Sequence, residues 1–465
     1  MLYIVGGTVR DLVVGKSPKD LDLAVEDAKL TAEMLCHITE AHYFILDEER
    51  NMVRVFLSRE GWQLDLTSLQ GAAIEDDLSQ RDFSINAMAI HYGSDQLSDA
   101  DNILDLLGVI TTNNKFNEKL IDPYNGKQDL QQKLVTKVSD QIFNNDPVRM
   151  LRAVRIAGQL GCTIETETEQ LIKKEAQLLK SSAGERLREE IMLILNLPDS
   201  SVWVEKLVEL GLIEQILPPL HQAWLEKNNA ESRLQGLYPH SLHALDRLEE
   251  LGASSYAPFM SSAIQLKKEL MQQLVPGRTR LQLLKMAGLI HDLGKTLPQC
   301  TPGEDGTDNH ATVGAQLAAD TCCSLALSKR ETDTVSRLVR NHYRIFEIYH
   351  QTNAMGLDIY ALMEELNADF PLLVLLAHTD WQSGKTDGIR KEQHFQEFLR
   401  FLIREYYENY MTVKAKPLVT GEDVMQVLGI SPSPKVGEIL GKVRQAQFMR
   451  EITNREAALA YIQKL

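Results

Sequence analysis

The sequence predicts an α+β protein: a small mixed head followed by a long all-helical body. Three observations carry that expectation. Residues 1 to about 110 alternate short β-type runs with helical pieces: LYIV, HYFIL, VRVFL, WQLDL and INAMAIHY. From about residue 140 onward the strand signals vanish, and segments such as PVRMLRAVRIAGQL and LREEIMLIL place apolar residues at helical spacing. The length of 465 residues suggests three structural units, give or take one, at roughly 150 residues each.

The composition fits a soluble globular chain, with 44% hydrophobic and 25% charged residues. The formal net charge of −16 argues against indiscriminate adhesion to nucleic acid or anionic membrane. It leaves room for a local basic track. From Trp381 to Leu465, Lys plus Arg is 13 against 10 for Asp plus Glu, so this end is locally positive. Five scattered cysteines without a CxxC pair form neither a disulfide framework nor a zinc knuckle, which points to a reducing cytoplasm. The opening LYIVGG lacks the features of a signal peptide, and the apolar run LLVLLA is far too short to span a membrane.

In the head, a strand runs into Gly6-Gly7, and a helix starting near Thr8 carries Arg10 and Asp11. Glycines at a strand-to-helix turn let backbone N–H groups approach phosphate oxygens at a helix N-terminus, although such a pair is more often only a turn. Asp20 and Asp22 follow in DLDL. In a strand, positions i and i+2 share a face, so the two carboxylates sit side by side. They repel unless a cation such as Mg²⁺ lies between them; the alternative is a solvated strand end.

In the body, breaks are expected at LPDSS (197–201), at ILPPL (216–220) and around TPGEDGTDN (301–309). Another falls at KAKPLVTGEDV, with Thr420 as a helix N-cap. Asp146, Arg149, Arg152 and Arg155 recur every three residues along an expected helix, near one face. A solvated charged stripe is the commoner fate of such spacing.

Taken together, GGTVRD, DLDL and QRDFSINAMAI resemble the class II tRNA nucleotidyltransferase and bacterial poly(A) polymerase family. The resemblance continues in order through DPYNGKQDLQQKLV, NDPVRMLRAVRIAGQLG and SSAGERLREEIMLIL, and covers at least residues 3–195. It implies a polymerase-β-like nucleotidyltransferase head with a small mixed sheet and an elongated helical body. It also implies a template-independent enzyme that adds C and/or A to tRNA 3′ ends from CTP and ATP. Gly6, Gly7, Arg10 and Arg81 would hold the nucleotide, and Asp20 and Asp22 the catalytic Mg²⁺. Asp65 stands where a third carboxylate is often placed; otherwise it is a strand-edge acid. Asp146 and Arg149 would present a protein template to the base. A carboxylate accepts from the exocyclic amino group of C or A and repels the carbonyl of U or G. Arg152 and Arg155 would support the pair or neutralise phosphate.

This chain departs from the family pattern in three places. Asn145 stands where Glu is common, Gln70 stands where Arg is common, and the segment before Arg81 is short. Many CCA-adding members carry a longer segment there, needed to switch from C to A addition, so synthesis of only part of the CCA end is a live expectation.

Further along, His240 in YPHSLHALDRL, His291-Asp292 in LIHDLGK and Asp380 in LLAHTDW resemble the HD phosphohydrolase superfamily. That set suits a second divalent metal (Mg, Mn or Ni) acting on a phosphomonoester or cyclic phosphodiester. His243 competes with His240 as first ligand, and His310 and His342 would lie behind the ligands or contact phosphate. A degenerate HD scaffold is the other reading. The expected divisions are a head at 1–138, a nucleotide-selecting neck at 139–220, an HD domain at 221–385 and a tRNA-binding tail at 386–465. The rival activities are poly(A) polymerase and, from another class, an HD phosphohydrolase acting on RNA-end phosphates.

Overall fold

The computed structural model describes residues 1–18, 20–39, 41–48, 51–57, 61–92, 120–232, 235–297, 309–351, 355–383 and 389–465. The expected break at 301–308 and Cys300 lie outside these. The chain divides into two compact units, one comprising Met1–Ser182 with Glu209–Gln215, the other Ala183–Val208 with Ile216–Leu465.

The first unit is built on a seven-stranded sheet. Its strands are β1 (Leu2–Val5), β2 (Asp20–Val25), β3 (Ala41–Asp47), β4 (Met52–Leu57), β5 (Trp62–Ser68), β6 (Ala89–His91) and β7 (Leu120–Ile121). They lie in the order β3-β4-β5-β2-β1-β6-β7. Within this sheet, among the described residues, only the β2–β5 pair is parallel, as a crossover through the helix Ala28–Ile38 and the β3–β4 hairpin allows. Alternation decides what each face carries. Leu21, Leu23, Val53, Val55, Leu64 and Leu66 point into a core shared with Val9, Ala28, Ala32 and Leu35. The intervening Asp20, Asp22, Arg54 and Asp65 therefore fall on the opposite face.

Two expectations about elements need correction. INAMAIHY is not one strand: Ser84–Asn86 forms a short 3₁₀ turn, and only Ala89–His91 is extended. Nor is the body free of strands, because Leu134–Val135 pairs with Thr163–Ile164 and Gln273–Val275 with Arg278–Thr279. Ladders of two or three residues are too short to show alternation in a sequence.

The second unit is helical. His240 lies on Leu237–Ala253, His291 directly follows Arg280–Ile290, and His310 opens His310–Ser324. His342 directly follows Lys329–Asn341, and Asp380 lies on Phe370–Ser383. Capping boxes start two of these helices, Thr279 with Gln282 and Ser328 with Glu331. Pro218 opens Pro218–Leu225 where ILPPL predicted a break, and Thr420 caps Gly421–Leu428 by accepting from the Asp423 N–H. That helix packs with Pro434–Phe448 and Arg455–Ile462 around Val424, Ile439, Val443 and Ile462.

Candidate functional site

In the head, β1 passes directly into the helix α1 (Gly6–Val13), which begins two residues earlier than its sequence suggested. Gly6 adopts φ +64°, and a Cβ there would lie 3.0 Å from Asp22 Oδ2 and 3.1 Å from Arg81 Nη1. At Gly7 a Cβ would lie 3.4 Å from both Asp22 Oδ2 and Arg10 Nη2. The two glycines thus let the backbone close onto one carboxylate and two guanidinium groups. Arg10 donates to Asn86 Oδ1 at 2.9 Å and to Asp11 Oδ1 at 2.9 and 3.0 Å. Arg81 is oriented by Asp77, with Nε to Oδ2 at 3.0 Å.

Asp22 lies in register with Asp65 across the parallel β2–β5 pair, and Arg54 with Asp65 across β4–β5. Burial pushes the Asp22 carboxyl above its ordinary value; Arg81 opposes this, the Asp65 charge reinforces it, and the Thr8 and Gly7 N–H groups offset part of it. Asp20 is exposed at the strand start. Asp65 is engaged by Arg54 through two bonds of 2.7 Å, a fork-to-fork pair. That partner has no signature in the sequence, because it depends on strand register. Equally unforeseen is Thr8. Its buried hydroxyl accepts from the Asp22 N–H at 2.8 Å and donates to the Asp20 carbonyl at 3.2 Å.

The helix carrying the arginines begins only at Arg149, and Asp146 precedes it with φ −157° and ψ 95°. The expected helical placement of Asp146 is therefore corrected. The following Pro147 disfavours helical geometry at Asp146, whose Oδ1 accepts from the Val148 N–H at 3.3 Å just ahead of the helix. Its other oxygen remains 4.0 Å from Arg149 Nε. Arg149 Nη2 donates to the Gln80 carbonyl at 2.7 Å, and Arg152 Nε lies 2.5 Å from Asp82 Oδ2. Burial alone would raise the Asp82 carboxyl, yet Arg152, the Asn86 amide, the Phe83 N–H and Arg149 hold it below its ordinary value. Arg155 instead donates along its own helix to Gln159 at 2.7 Å.

In the second unit, His240 Nε2 lies 2.9 Å from Asp380 Oδ1 and 3.2 Å from His291 Nε2. These three residues can converge on one metal ion. His243 is exposed and outside the cluster, so His240 is the residue brought to it. Burial would lower His291, but Asp292 and Asp380 raise it above its ordinary value. Asp292 is held well below the usual carboxylate range, because His291, His342 and Lys295 together outweigh its burial. His310 and His342 each place Nε2 3.4 Å from Oδ1 of Asp292, itself one of the expected ligands.

Fold and sites together define a nucleotidyltransferase head carried in one chain with an HD domain. The family profiles agree. The poly(A) polymerase head domain matches residues 2–72 and 58–136, and the RNA- and SrmB-binding region of polymerase A matches 161–224. The HD domain matches 237–381, and tRNA nucleotidyltransferase domain 2 matches 315–462. The chain is 28% identical to the A-adding tRNA nucleotidyltransferase of Deinococcus radiodurans, over 99% of this chain and 94% of that one. It is also 28% identical to the CC-adding tRNA nucleotidyltransferase of Geobacter sulfurreducens, over 99% of this chain and 91% of that one. A solved CCA-adding enzyme in complex with CTP shares the fold with a TM-score of 0.63, at 18% identity over 100% of this chain and 90% of the other. Along nearly its whole length the chain is similar to the tRNA nucleotidyltransferase and poly(A) polymerase family.

Proposed function

We propose that the protein is a template-independent tRNA nucleotidyltransferase that builds or repairs the 3′ CCA end from CTP and ATP. The observation that carries this reading is the continuity of one site, from the Gly6-Gly7 turn and Asp22 through Arg81 and Asp82 to Arg149 and Asp146. Gly6, Gly7, Arg10 and Arg81 bind the triphosphate, and Asp146 with Arg149 meets the base edge. Arg152 holds Asp82 in place, and Arg155 lies farther along the helix as a phosphate contact.

Asp20 and Asp22 are hard oxygen donors suited to Mg²⁺, and burial, reinforced by the Asp65 charge, raises the Asp22 carboxyl, which a cation would help to ionise. Mg²⁺ held there would supply charge neutralisation on the phosphates and acidify the attacking hydroxyl. Asp65, paired with Arg54, would stand beside it as the neighbouring carboxylate. The tRNA 3′ oxygen bonds to the α-phosphorus in line, the bond from that phosphorus to the β-phosphate bridging oxygen breaks, and pyrophosphate leaves. The hydroxyl proton passes to solvent.

The segment between Asp65 and Arg81 supports partial synthesis. Asp76 Oδ2 accepts from the Ala72 and Ala73 N–H groups at 2.9 and 3.0 Å, and Asp77 Oδ1 from the Gln70 N–H at 3.3 Å. A segment closed on itself in this way is poorly built to switch the site from C to A. The test offers tRNAs ending before CCA, after C and after CC, with each nucleotide separately. A complete CCA on the shortest tRNA would overturn the partial reading, and long adenosine tails with CTP ignored would favour a poly(A) polymerase. Retained incorporation in Asp22→Ala would overturn the whole assignment.

The His240, His291 and Asp380 convergence favours a second reading for the other unit, a metal-dependent phosphohydrolase acting on RNA-end phosphates, with Asp292 beside the metal. Two imidazoles and a carboxylate suit Mn²⁺ or Ni²⁺ better than Mg²⁺. Absence of phosphate release from 2′,3′-cyclic and monoester ends with Mg²⁺, Mn²⁺ or Ni²⁺ would leave a scaffold. The locally basic tail is the resting place for the tRNA body. Among the described residues no helix is long and apolar enough to cross a membrane, and Cys36, Cys162, Cys322 and Cys323 are free.

A further inference from the structure

Register arranges the face of the head sheet that carries Asp20 and Asp22 in transverse rows. Asp22 lies opposite Asp65, Asp65 opposite Arg54, and Arg54 opposite Phe44. Two residues along, Asp20 lies opposite Gln63, Gln63 opposite Phe56, and Phe56 opposite His42. The alternate residues Ala41, Val53, Val55 and Leu57 lie in the core, which places Phe44 and Phe56 on the carboxylate face. The two rings pack together, with centroids 5.7 Å apart and planes tilted by 33°. They are 45% and 41% exposed, whereas the other face of these strands is closed by the helix Ala28–Ile38. A single exposed ring needs no explanation, but two in contact at the end of a charged row make a continuous apolar surface.

Reaction geometry says what passes over that surface. The Gly6-Gly7 turn and its helix continue from β1, so the triphosphate and its leaving pyrophosphate are held on the β1 side of Asp22. In-line displacement puts the attacking oxygen on the far side of the α-phosphorus. Away from β1, the strands that follow β2 are β5, β4 and then β3 at the sheet edge. At about 4.8 Å per strand, β3 lies about 14 Å from β2. A chain that leads away from an attacking hydroxyl at Asp22 therefore reaches the rings with the bases just before its terminal one. Arg54 stands between, and its fork onto Asp65 shields the incoming phosphates from that negative charge. Every base has a π-face, so an aromatic platform tolerates any sequence. That suits an acceptor whose last bases change with each addition.

We propose that Phe44 and Phe56 form a stacking platform for the single-stranded 3′ end of the RNA acceptor, holding its penultimate base so that the terminal hydroxyl faces Asp22. The proposal rests on the nucleotidyltransferase reading of the head and adds a site for the second substrate. The rings bind and aim the acceptor; the nucleotide is held by other residues, on the far side of the carboxylates.

The test uses the full chain with Phe44→Ala and Phe56→Ala together, and the same pair changed to Leu, which keeps apolar bulk and loses the ring faces. Incorporation is measured on the tRNA end and nucleotide that the wild-type chain uses, varying each separately. Loss of base–aromatic stacking is expected to raise KM for tRNA about ten-fold or more in both pairs and to leave KM for the nucleotide unmoved. The pair changed to Tyr keeps the ring faces and should keep the wild-type KM. A 2-aminopurine next to the 3′-terminal nucleotide should be quenched by the wild-type chain and less so by the Ala and Leu pairs. An unchanged KM for tRNA, an equal rise in KM for the nucleotide, a Leu pair that behaves as wild type, or equal quenching in all chains overturns the platform. So does a wild-type dimer that the Ala pair dissociates without moving KM for tRNA, which assigns the rings to a second copy of the chain. A wild-type chain that incorporates nothing overturns the nucleotidyltransferase reading itself, so the two failures are told apart.

Discussion

The Thr8 hydroxyl completes a sheet that the backbone leaves unfinished. The register of β1 on β2 ends at Ile4↔Leu23, because the chain turns into α1 at Gly6. The next inward N–H on β2 belongs to Asp22, and the Thr8 hydroxyl meets it in place of a β1 carbonyl, at 2.8 Å. Thr8 is 2% exposed, so no water replaces it. Thr8→Val keeps the shape and removes the acceptor. A buried donor left unsatisfied costs about 1–3 kcal/mol. The Asp20 carbonyl, at an exposed residue, regains water and adds little. Taking about 2 kcal/mol, local opening of β2 becomes roughly thirty-fold more frequent.

Amide hydrogen exchange of peptides spanning Leu2–Val25 reads that opening without averaging over the second unit. Thr8→Val is expected to exchange there roughly thirty-fold faster and to lose kcat, since a carboxylate misplaced by about 1 Å can cost on the order of a hundred-fold. Thr8→Ser, which keeps the acceptor and drops one methyl, should recover most of the protection and the rate. Wild-type exchange in Thr8→Val, or equal losses in Val and Ser, would refute the argument, because packing and not the hydroxyl would then be holding the strand.

Three further outcomes are expected. Asp146→Asn gives the base-facing position a donor that tolerates the uracil carbonyl, so the UTP-to-CTP incorporation ratio should rise about ten-fold or more; an unchanged ratio places selection elsewhere. Arg54→Gln releases Asp65 from its two 2.7 Å bonds and adds a negative charge beside Asp22. The Mg²⁺ concentration for half-maximal incorporation should then fall several-fold, and no change would make the pair purely structural. Asp82 is held below its ordinary carboxylate value once folded. Its contribution to head stability is therefore full above the unfolded pKa, about 3.9, and lost as pH falls through the lower folded value. Acid unfolding followed by exchange in the head should lose part of that slope in Asp82→Asn, and an identical slope would remove Asp82 from the acid response.

What was legible in the sequence was local or periodic. Gly6-Gly7 at a strand end, the i, i+2 spacing of Asp20 and Asp22, and the Thr420 cap each need only neighbouring residues to be read, and each lies where chain geometry puts it. Residues whose partners depend on register or on packing stayed hidden. Arg54 meets Asp65 only because β4 and β5 align them. Gly126 looks like an ordinary helix-start glycine, yet a Cβ there would sit 2.1 Å from the Ser84 carbonyl oxygen, so DPYNGK is packed onto the RDFS turn. His310 and His342 could be suspected of chemistry, but their shared carboxylate oxygen exists only in the folded unit. The helical placement of Asp146 failed on a local rule that spacing overrode, the bias that Pro147 imposes on the residue before it.

On the proposed reading, the segment Gln80–Ser84 would link base choice to catalysis without a nucleic-acid template. Its residues face both tasks. Arg81 reaches the glycine turn beside Asp22, while the Gln80 carbonyl and the Asp82 carboxylate receive Arg149 and Arg152. The Ser84 hydroxyl hydrogen-bonds to Asp129 Oδ2 at 2.5 Å, and the Ser84 N–H to the Thr136 carbonyl at 2.9 Å, which anchors the segment from behind. A base that displaced Arg149 from the Gln80 carbonyl would pull on the same backbone that carries Arg81. On that reading, base fit and phosphate alignment would be coupled through these five residues. The energy of a correct base would then be realised as alignment at the phosphorus, where it raises the rate, and not only as tighter binding. An acidic protein of this kind needs no broad positive surface: net positive charge lies on the helix Arg149–Leu160, which carries Arg149, Arg152 and Arg155 and no acid, and on the locally basic tail.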